Sequence, residues 1–288
     1  MNKSIFVFNF LFISALLHGI STTPAQITSL SIFPEQIIQG EPILVQINGP
    51  ASISSIKKIT FDNTILKIFL YQTKPTTLIG IDLNKKPGDY ELVAELSDGQ
   101  IFKKTINIEE REKIEAPLGI PEKLGGNTAV SQNTLVSTLA LENQSLANIH
   151  TGLKAFWTQK FLPPLKQTFV TDEYGYSRKT EEYSITHKGV DYRAEEGTPV
   201  MASNRGVVRV VKTYRNYGKT IVVDHGLGLM TFYMHLSKTK VNVGELVQQG
   251  QIIGLSGQTG YAESPHLHLT VRINGISIDP IKFFEMFQ

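Results

Sequence analysis

The sequence contains no cysteine among its 288 residues. This absence excludes disulfide bonds, thiolate metal ligands and a cysteine nucleophile, so any bound metal has to be held by histidine and carboxylate side chains. An excess of charge of one sign is also lacking, because 28 Lys and Arg oppose 26 Asp and Glu for a net charge of +2. Without a basic stripe to follow a phosphate backbone, we expect no nucleic-acid partner.

Long hydrophobic runs are lacking except at the N-terminus. Lys3 is followed by an apolar stretch, 5–17, and then by small residues over 21–25. This order predicts a secretory signal peptide over residues 1–25, because the apolar stretch is too short to span a bilayer comfortably. The alternative is an uncleaved membrane anchor. Either version exports the rest of the chain to the periplasm or the extracellular side, and we expect no transmembrane domain in the mature chain.

Turn-forming residues, in contrast, are plentiful, with 23 glycines and 13 prolines. Over residues 26–110 they separate short apolar runs, such as 43–47 and 90–94, in a rhythm typical of a small β-sandwich. We therefore predict an immunoglobulin-like β domain over residues 26–110. Because this stretch contains no histidine, we expect it to be a positioning, binding or occluding module.

Residues 111–165 are predicted to be a linker and one helix. The charged run at 109–113 and the prolines and glycines after it predict a solvated connector. Helical spacing of apolar residues then predicts an amphipathic helix from Ser131 to about His150, with His150 at its polar end. The apolar face of this helix consists of Leu135, Leu139, Leu146 and Ile149.

Residues 166–288 return to short strands separated by glycine-bearing turns. Since helical patterns are scarce here, we predict an antiparallel, β-dominated catalytic domain and a chain that is mainly β overall. The histidines concentrate in this part of the chain. Five of the seven lie within it: His187, His225, His235, His266 and His268.

Two of these histidines, His266 and His268, are separated by one residue. On a β-strand they project from the same face, roughly 6.6 Å apart along the chain. The apolar residues around them favour a strand. Leu267, Leu269 and Val271 then form the opposite, buried face. The pair can therefore place one imidazole on a metal ion and the other beside it.

A second candidate pair is His187 and Asp191. On a fully extended strand the two would lie about 13 Å apart, which is too far to share a small ion. Convergence therefore requires a bend between them, and Gly189 permits one.

The fifth candidate is His235, in the predicted strand at 230–236. Strict alternation places His235 on one face with Thr231 and Tyr233, and this can be the face that carries the His266 and His268 side chains. The opposite face is formed by Phe232, Met234 and Leu236. His225, at a turn after a strand, is predicted to be structural, and Asn216, Tyr217 and Tyr233 are predicted to line a groove.

Together these residues suit a hydrolytic zinc site. Such a site needs three nitrogen or oxygen ligands and an open position for water, with groups nearby that move protons and stabilise an oxyanion. His187, Asp191 and either His266 or His268 can supply the ligands. His235 and the remaining histidine are then free for acid/base work. The chemistry alone leaves open which of His266 and His268 binds the metal.

The order of motifs over residues 171–284 resembles that of the lysostaphin/LytM-type zinc endopeptidases, which cut peptide bonds in bacterial peptidoglycan. The motifs are HKGVD at 187–191, GTPVMA at 197–202, GVV at 206–208, DHG at 224–226, YMHL at 233–236, GQTG at 257–260, HLH at 266–268 and DP at 279–280. The resemblance implies a lysostaphin-type peptidase domain that binds one Zn²⁺ per chain and acts on peptidoglycan cross-link or stem peptides.

By position within these motifs, the resemblance implies that His187, Asp191 and His268 bind zinc while His235 and His266 assist catalysis. The alternative function is a non-catalytic envelope regulator that binds and activates another cell-wall hydrolase. A further hypothesis follows from the order of the domains: the N-terminal domain precedes the catalytic domain and occludes its active site.

Overall fold

The computed structural model describes residues 29–49, 52–180 and 182–287. The predicted signal peptide, residues 1–25, lies outside the described residues. The fold class is confirmed as mainly β, with 23 strands and two α-helices in the described ranges. None of the helices described there is long and apolar enough to cross a membrane.

The N-terminal β unit, within residues 29–109, consists of two sheets around one hydrophobic cluster. Side chains from both sheets, including Val45, Ile59, Leu92 and Ile108, are at most 1% exposed in this cluster. The sheets have the strand orders β1-β3-β7-β6 and β2-β9-β8-β4-β5. The strands are β1 (Ser29–Phe33), β2 (Ile37–Ile38), β3 (Pro42–Asn48), β4 (Ile56–Phe61), β5 (Thr64–Ile65), β6 (Phe69–Tyr71), β7 (Lys74–Gly80), β8 (Gly88–Leu96) and β9 (Ile101–Glu109).

In this two-sheet arrangement the strands lie in the short apolar runs between turn-forming residues, where the sequence predicts them. Along β8 the C-terminal half alternates between buried and partly exposed residues, because one face of the sheet covers the cluster and the other faces outward. The immunoglobulin-like topology and the domain boundaries stay predictions.

The connector to the second half of the chain is less solvated than its composition predicts. Glu110 and Lys113 are exposed, as expected for a charged run, but the Arg111 side chain is only 19% exposed. Its guanidinium donates hydrogen bonds to the Gln39 carbonyl oxygen at 2.7 Å and to Asp279 at 3.1 Å. The prediction of a solvated connector is therefore wrong at Arg111, because its guanidinium is hydrogen-bonded to Gln39 and to Asp279.

Helix α1 (Ala129–Ala147) follows β10 (Glu115–Pro117) and the 3₁₀ turn Glu122–Leu124. The helix begins where the Thr128 side chain accepts a hydrogen bond from the Ser131 amide, which satisfies one free amide of the first turn. Of the predicted apolar face, Leu135 and Leu146 are fully buried. The helix ends at Ala147, so the prediction that His150 forms its polar end is wrong by three residues.

The C-terminal part is built on a large sheet with strand order β11-β14-β22-β18-β17-β16-β20, in which all neighbouring strands are antiparallel, as predicted. A short helix, α2, closes the chain. The elements are β11 (Val170–Asp172), β12 (Ser177–Lys179), β13 (Ser184–Thr186), β14 (Val190–Arg193), β15 (Pro199–Met201), β16 (Gly206–Tyr214), β17 (Gly218–Gly226), β18 (Leu229–Leu236), β19 (Lys238–Thr239), β20 (Leu246–Val247), β21 (Ile252–Leu255), β22 (His266–Ile273), β23 (Ile276–Ile278) and α2 (Pro280–Glu285).

One hydrophobic core joins the N-terminal β unit to this sheet. The Trp157 ring lies 5.3 Å from the Phe69 ring, 5.2 Å from the Tyr71 ring and 5.5 Å from the Phe287 ring. Residues from the start, middle and end of the chain thus pack in a single cluster, and their burial stabilises the contact between the two parts.

Candidate metal centre

The site is built on β14 and β22, which lie side by side in the sheet. In their antiparallel register Asp191 stands directly opposite His268, so both side chains project from one face. The His268 Nδ1 atom lies 2.8 Å from Asp191 Oδ1. The prediction that Leu267, Leu269 and Val271 form the opposite, buried face is confirmed, because none of them is exposed.

His187 reaches the same point from the chain before β14. A bend at Gly189 separates it from the strand, as predicted. Its Nε2 atom lies 3.1 Å from Asp191 Oδ1 and 2.9 Å from His268 Nδ1. Glycine is required at the bend for a second reason: a Cβ atom on Gly189 would stand 2.5 Å from both His268 Nε2 and the Leu269 carbonyl oxygen.

The outer nitrogen of each imidazole is fixed by a hydrogen bond. His187 Nδ1 lies 2.8 Å from the Glu173 carbonyl oxygen, to which it can only donate. His268 Nε2 lies 2.9 Å from Thr270 Oγ1, whose hydroxyl in turn donates to the Lys188 carbonyl oxygen at 3.0 Å. These partners accept protons from the outer nitrogens, so both inner nitrogens are directed toward Asp191, where they can hydrogen-bond its carboxylate when protonated and would present lone pairs to a bound metal ion.

This donor set fits a zinc ion. Two imidazole nitrogens and one carboxylate oxygen converge on one point, with separations of 2.8, 2.9 and 3.1 Å. Ligand atoms around a tetrahedral zinc ion stand about 3.3 Å apart, so only a slight outward movement separates this arrangement from a ligand cage. Within the described ranges these three residues form the one cluster with suitable donors for a metal ion.

The charges at the site are strongly coupled. Burial alone would raise the pKa of Asp191, but the charge and hydrogen bonds of His187 and His268 outweigh it and hold that pKa well below its usual range. Burial alone would lower the pKa of His187, yet the adjacent Asp191 carboxylate raises it. Burial lowers the pKa of His268. The Asp191 side chain is therefore an anion at neutral pH, as a metal ligand has to be.

His235 faces the site, but not for the reason that strand alternation gives. Tyr233 and Leu236 both belong to the main core, whereas Met234 packs on the other side of the sheet. The backbone of His235 has a φ of +60°, in the left-handed region, and this breaks the alternation between Met234 and Leu236. The prediction that Tyr233 shares a face with His235 is wrong, and so is the placement of Leu236 with Met234.

The His235 and His266 rings lie next to each other, with centroids 4.8 Å apart. His235 Nδ1 lies 2.9 Å from the Thr259 carbonyl oxygen and His266 Nδ1 lies 2.8 Å from that of Ser264. Both Nδ1 atoms therefore carry protons, which leaves lone pairs on the two Nε2 atoms. His266 Nε2 is 3.8 Å from the second carboxylate oxygen of Asp191. Burial, reinforced by the nearby His266 and His268, lowers the pKa of His235 to about 3, so its ring is neutral at pH 7.

An open groove of about 960 Å³ runs past these five side chains. Asn216 and Tyr217 line it as predicted, but Tyr233 is completely buried and donates its hydroxyl to Ser203 in the core. His225 is also buried, and its two ring nitrogens lie 2.9 Å from the Arg205 carbonyl oxygen and from Thr231 Oγ1, which fits the predicted structural role.

Part of the groove wall was not expected from the sequence. Helix α1 contributes Val136, Leu139, Ala140 and Asn143, and the N-terminal β unit contributes Asp82 and Asn84. Arg178, which is paired with Asp172 at 2.8 Å, also lines the groove. Nothing in the sequence pattern of α1 marks it as a groove wall, since its spacing predicts only burial against a neighbour. These contacts arise from the packing of distant segments.

Comparison with known proteins gives a consistent result. The model of "Peptidase family M23" matches residues 185–280, a range that includes all five candidate residues. The DD-carboxypeptidase/endopeptidase Mpg of Neisseria meningitidis is 36% identical over 121 residues, 42% of this chain and 28% of the relative. The peptidoglycan DD-endopeptidase ShyA of Vibrio cholerae is 42% identical over 96 residues, 33% of this chain and 22% of the relative.

The chain thus spans about a quarter of the length of these curated relatives. Among solved structures, a proposed M23 peptidase from Pseudomonas aeruginosa superposes with a TM-score of 0.56 at 22% sequence identity. The superposition covers 87% of this chain and 96% of that protein, and it shows a shared fold that extends beyond the matched family range.

Proposed function

We propose that residues 185–280, a Peptidase family M23 domain, make this chain a zinc-dependent endopeptidase that hydrolyses peptide bonds in bacterial peptidoglycan, in its cross-link or stem peptides. The observation that carries the proposal is the convergence of the donor atoms of His187, Asp191 and His268 next to the free Nε2 atoms of His235 and His266. The name of ShyA supports a peptidoglycan substrate, and that of Mpg supports an endopeptidase activity.

In this proposal one zinc ion per chain is held by His187 Nε2, Asp191 Oδ1 and His268 Nδ1. When bound, zinc supplies a Lewis acid and lowers the pKa of a coordinated water to about 7. The protein's own contribution is preorganisation. Hydrogen bonds to Glu173 and Thr270 hold the two imidazoles in the tautomer that binds metal.

His235 and His266 are the proposed acid/base pair. Each ring holds its Nδ1 proton on a backbone carbonyl, and each Nε2 is left free to accept a proton from the attacking water and to return it to the leaving amine. A protonated ring also stabilises the negative charge that develops on the carbonyl oxygen. Because both rings border the groove, a peptide lying in it can reach them.

The test separates metal binding from catalysis. His235→Ala is expected to keep about one zinc per chain but to lose about 10²- to 10⁴-fold in the rate of peptide release from purified sacculi. Asp191→Asn is expected to lose both zinc and activity. His150→Ala, an exposed histidine outside the groove, is the matched control. Full activity of the His235→Ala protein would refute the assigned role, and inactive zinc-loaded wild type on sacculi of every cross-link type would refute the function.

We also propose that the N-terminal β unit restricts access to the groove. Asp82 and Asn84 at the groove wall support this, while the shared core around Trp157 favours a fixed contact over a removable lid. A full-length protein with Asp82→Ala and Asn84→Ala is expected to cleave sacculi faster than wild type if the unit narrows the groove. Unchanged turnover on both sacculi and short peptides would contradict the restriction.

Export to the periplasm or the extracellular side completes the proposal, since the substrate lies there. Appending residues 1–25 to a reporter that is active only outside the cytoplasm tests it, and a silent reporter would contradict it. No observation favours the alternative of a non-catalytic regulator, because all three proposed metal ligands and both proposed catalytic histidines are present.

A further inference from the structure

Helix α1 lies outside the range matched by the M23 family, yet it carries a buried carboxylate that points into the catalytic domain. Glu142 is 7% exposed, although it sits in the middle of a helix that has one face in solvent. A carboxylate is placed in such a position only if it has hydrogen-bond donors to accept from. Glu142 is therefore expected to accept hydrogen bonds from nearby donors.

Its partners are two consecutive backbone amides. The amide of Asn216 donates to Glu142 Oε1 at 3.0 Å, and the amide of Tyr217 donates to Oε2 at 3.3 Å. One helical turn earlier, Thr138 Oγ1 accepts a hydrogen bond from the Asn216 side-chain amide at 2.7 Å. Charge-assisted bonds of this kind are stronger than neutral ones. Helix α1 thus clamps the turn between β16 and β17.

The clamped turn holds His235 by its backbone. The Tyr217 carbonyl oxygen accepts a hydrogen bond from the His235 amide at 3.0 Å. His235 needs such support because its φ of +60° is unfavourable for a residue with a side chain, and such conformations persist only where surrounding contacts fix them.

The same turn also holds the ring of His235, through the loop at 259–261. The Asn216 carbonyl oxygen accepts a hydrogen bond from the Tyr261 amide at 2.6 Å. In that loop the Thr259 carbonyl oxygen accepts the Nδ1 proton of His235 at 2.9 Å. The backbone and the ring of His235 therefore both depend on the turn that Glu142 fixes.

We propose that Glu142 is a positioning residue for His235, and that helix α1 is a working part of the active site. The carboxylate does not touch the substrate. It fixes the Asn216–Tyr217 turn, which holds the His235 backbone in its left-handed conformation and keeps the ring aimed into the groove. This inference rests on the proposed function only in assigning His235 to catalysis, and the positional claim can be tested without any activity.

The first variant is Glu142→Gln, which keeps the size of the side chain but presents an NH₂ group to one of the two amides. In ¹H–¹⁵N spectra of the full-length, zinc-loaded protein, we expect the His235 Nδ1 proton signal to shift or broaden. Zinc content is expected to stay at the wild-type value. Because a misplacement of about 1 Å costs about 100-fold in rate, we expect kcat to fall about 10- to 100-fold with KM changed less than about twofold.

The second variant, Thr138→Val, removes the hydroxyl that contacts the Asn216 side chain and, within the helix, the Thr134 carbonyl oxygen, and it is the milder change. It is expected to produce the same spectral shift at smaller amplitude, so the proposal stays testable if Glu142→Gln does not fold. Gln144→Ala is the control on the same helix, because Gln144 is exposed and outside the groove. Its spectrum and kcat are expected to match wild type.

The outcomes separate two failures. If the His235 signal of the folded variants matches wild type, the positioning role is overturned, whatever the activity. If the signal shifts in both variants but wild type releases no peptide from any sacculus, the positioning role stands and the proposed function fails. A loss of kcat with an unchanged His235 signal also overturns the inference, since the effect then arises elsewhere.

Discussion

Tyr233 and His235 lie on opposite faces of β18, although two residues separated by one normally share a face of a strand. Tyr233 points into the core, where its hydroxyl accepts a hydrogen bond from the Ser203 amide at 2.9 Å. His235 points into the groove because its left-handed backbone reverses the alternation. Neighbours in one motif therefore have separate tasks, and variants at the two positions should behave differently.

The Tyr233→Phe variant is expected to lose stability and keep its chemistry. Removing the hydroxyl leaves the buried Ser203 amide without this partner and takes one of two partners from the Thr231 hydroxyl, which also contacts His225; the loss costs about 1–3 kcal/mol in the free energy of unfolding. Urea unfolding measures the loss, and zinc content and kcat are expected to match wild type. The control is Tyr90→Phe, which removes a hydroxyl that donates to the Lys86 carbonyl oxygen at an exposed position, with an expected loss below about 0.5 kcal/mol. A selective loss of kcat in Tyr233→Phe would place its hydroxyl in the reaction instead.

Gly189→Ala is expected to weaken metal binding. The new methyl group would overlap with the His268 ring and the Leu269 carbonyl oxygen at 2.5 Å, so the ring has to move away from its position beside Asp191. We expect about a 10- to 100-fold loss of zinc affinity, as measured by competition with a chromogenic chelator. Gly244→Ala is the control: the backbone of Gly244 has a φ of +89°, which disfavours a side chain, but a Cβ atom there would meet no atom within 4 Å. Equal zinc affinity in the two variants would contradict the steric argument.

Acid is expected to destabilise the protein through His225. Burial lowers the pKa of His225 to about 4, whereas an unfolded chain has a histidine pKa of about 6.5. Between these values only the unfolded state takes up the proton. The stability contributed by neutral His225 is therefore complete above pH 6.5 and is lost as the pH falls toward 4, by up to about 3 kcal/mol.

The measurement for His225 is urea unfolding from pH 7.5 to 4.5, in chelator, for wild type and His225→Gln. The difference in unfolding free energy between the two proteins should shrink as the pH falls, because the variant has no group to protonate at this position. A difference that stays constant across the range would show that His225 does not titrate there.

Arg111→Ala is expected to loosen the junction between the two halves of the chain. The substitution leaves the carboxylates of Asp279 and Glu41 in a poorly solvated position without their cation. Allowing for the partial exposure of Arg111, we expect a loss of about 2–3 kcal/mol in unfolding free energy. Lys113→Ala, an exposed neighbour in the same charged run, should cost less than about 0.5 kcal/mol. Equal, small losses in both variants would show that Arg111 is no more than a surface charge.

Several features of the site could be predicted from the sequence because they depend on local chemistry. The period of two along 266–271 assigns His266 and His268 to one face and the apolar residues to the core, and the structure confirms this. The spacing of His187 and Asp191 requires a bend, and glycine stands at the bend. Strand geometry alone fits either histidine of the pair, so the proposal that His268 and not His266 binds metal depends on the resemblance in the order of motifs along the chain.

Other features depend on contacts between segments far apart in the sequence. Strand periodicity predicts the wrong neighbours for His235, because its left-handed backbone is stabilised by loops at 216–218 and 259–261 and not by adjacent residues. The burial of Arg111 likewise depends on partners 72 and 168 residues away.

The sequence by itself determined the mainly β fold class, the residues able to bind a metal and the strand face that carries two of them. Only the tertiary structure decided how His235 enters the site, what surrounds the groove and why Glu142 is buried. The physical reason is the range of the interactions. Side-chain alternation and turn preference act over a few residues and are visible in the sequence, whereas a hydrogen bond between α1 and a distant turn exists only after the core has brought them together.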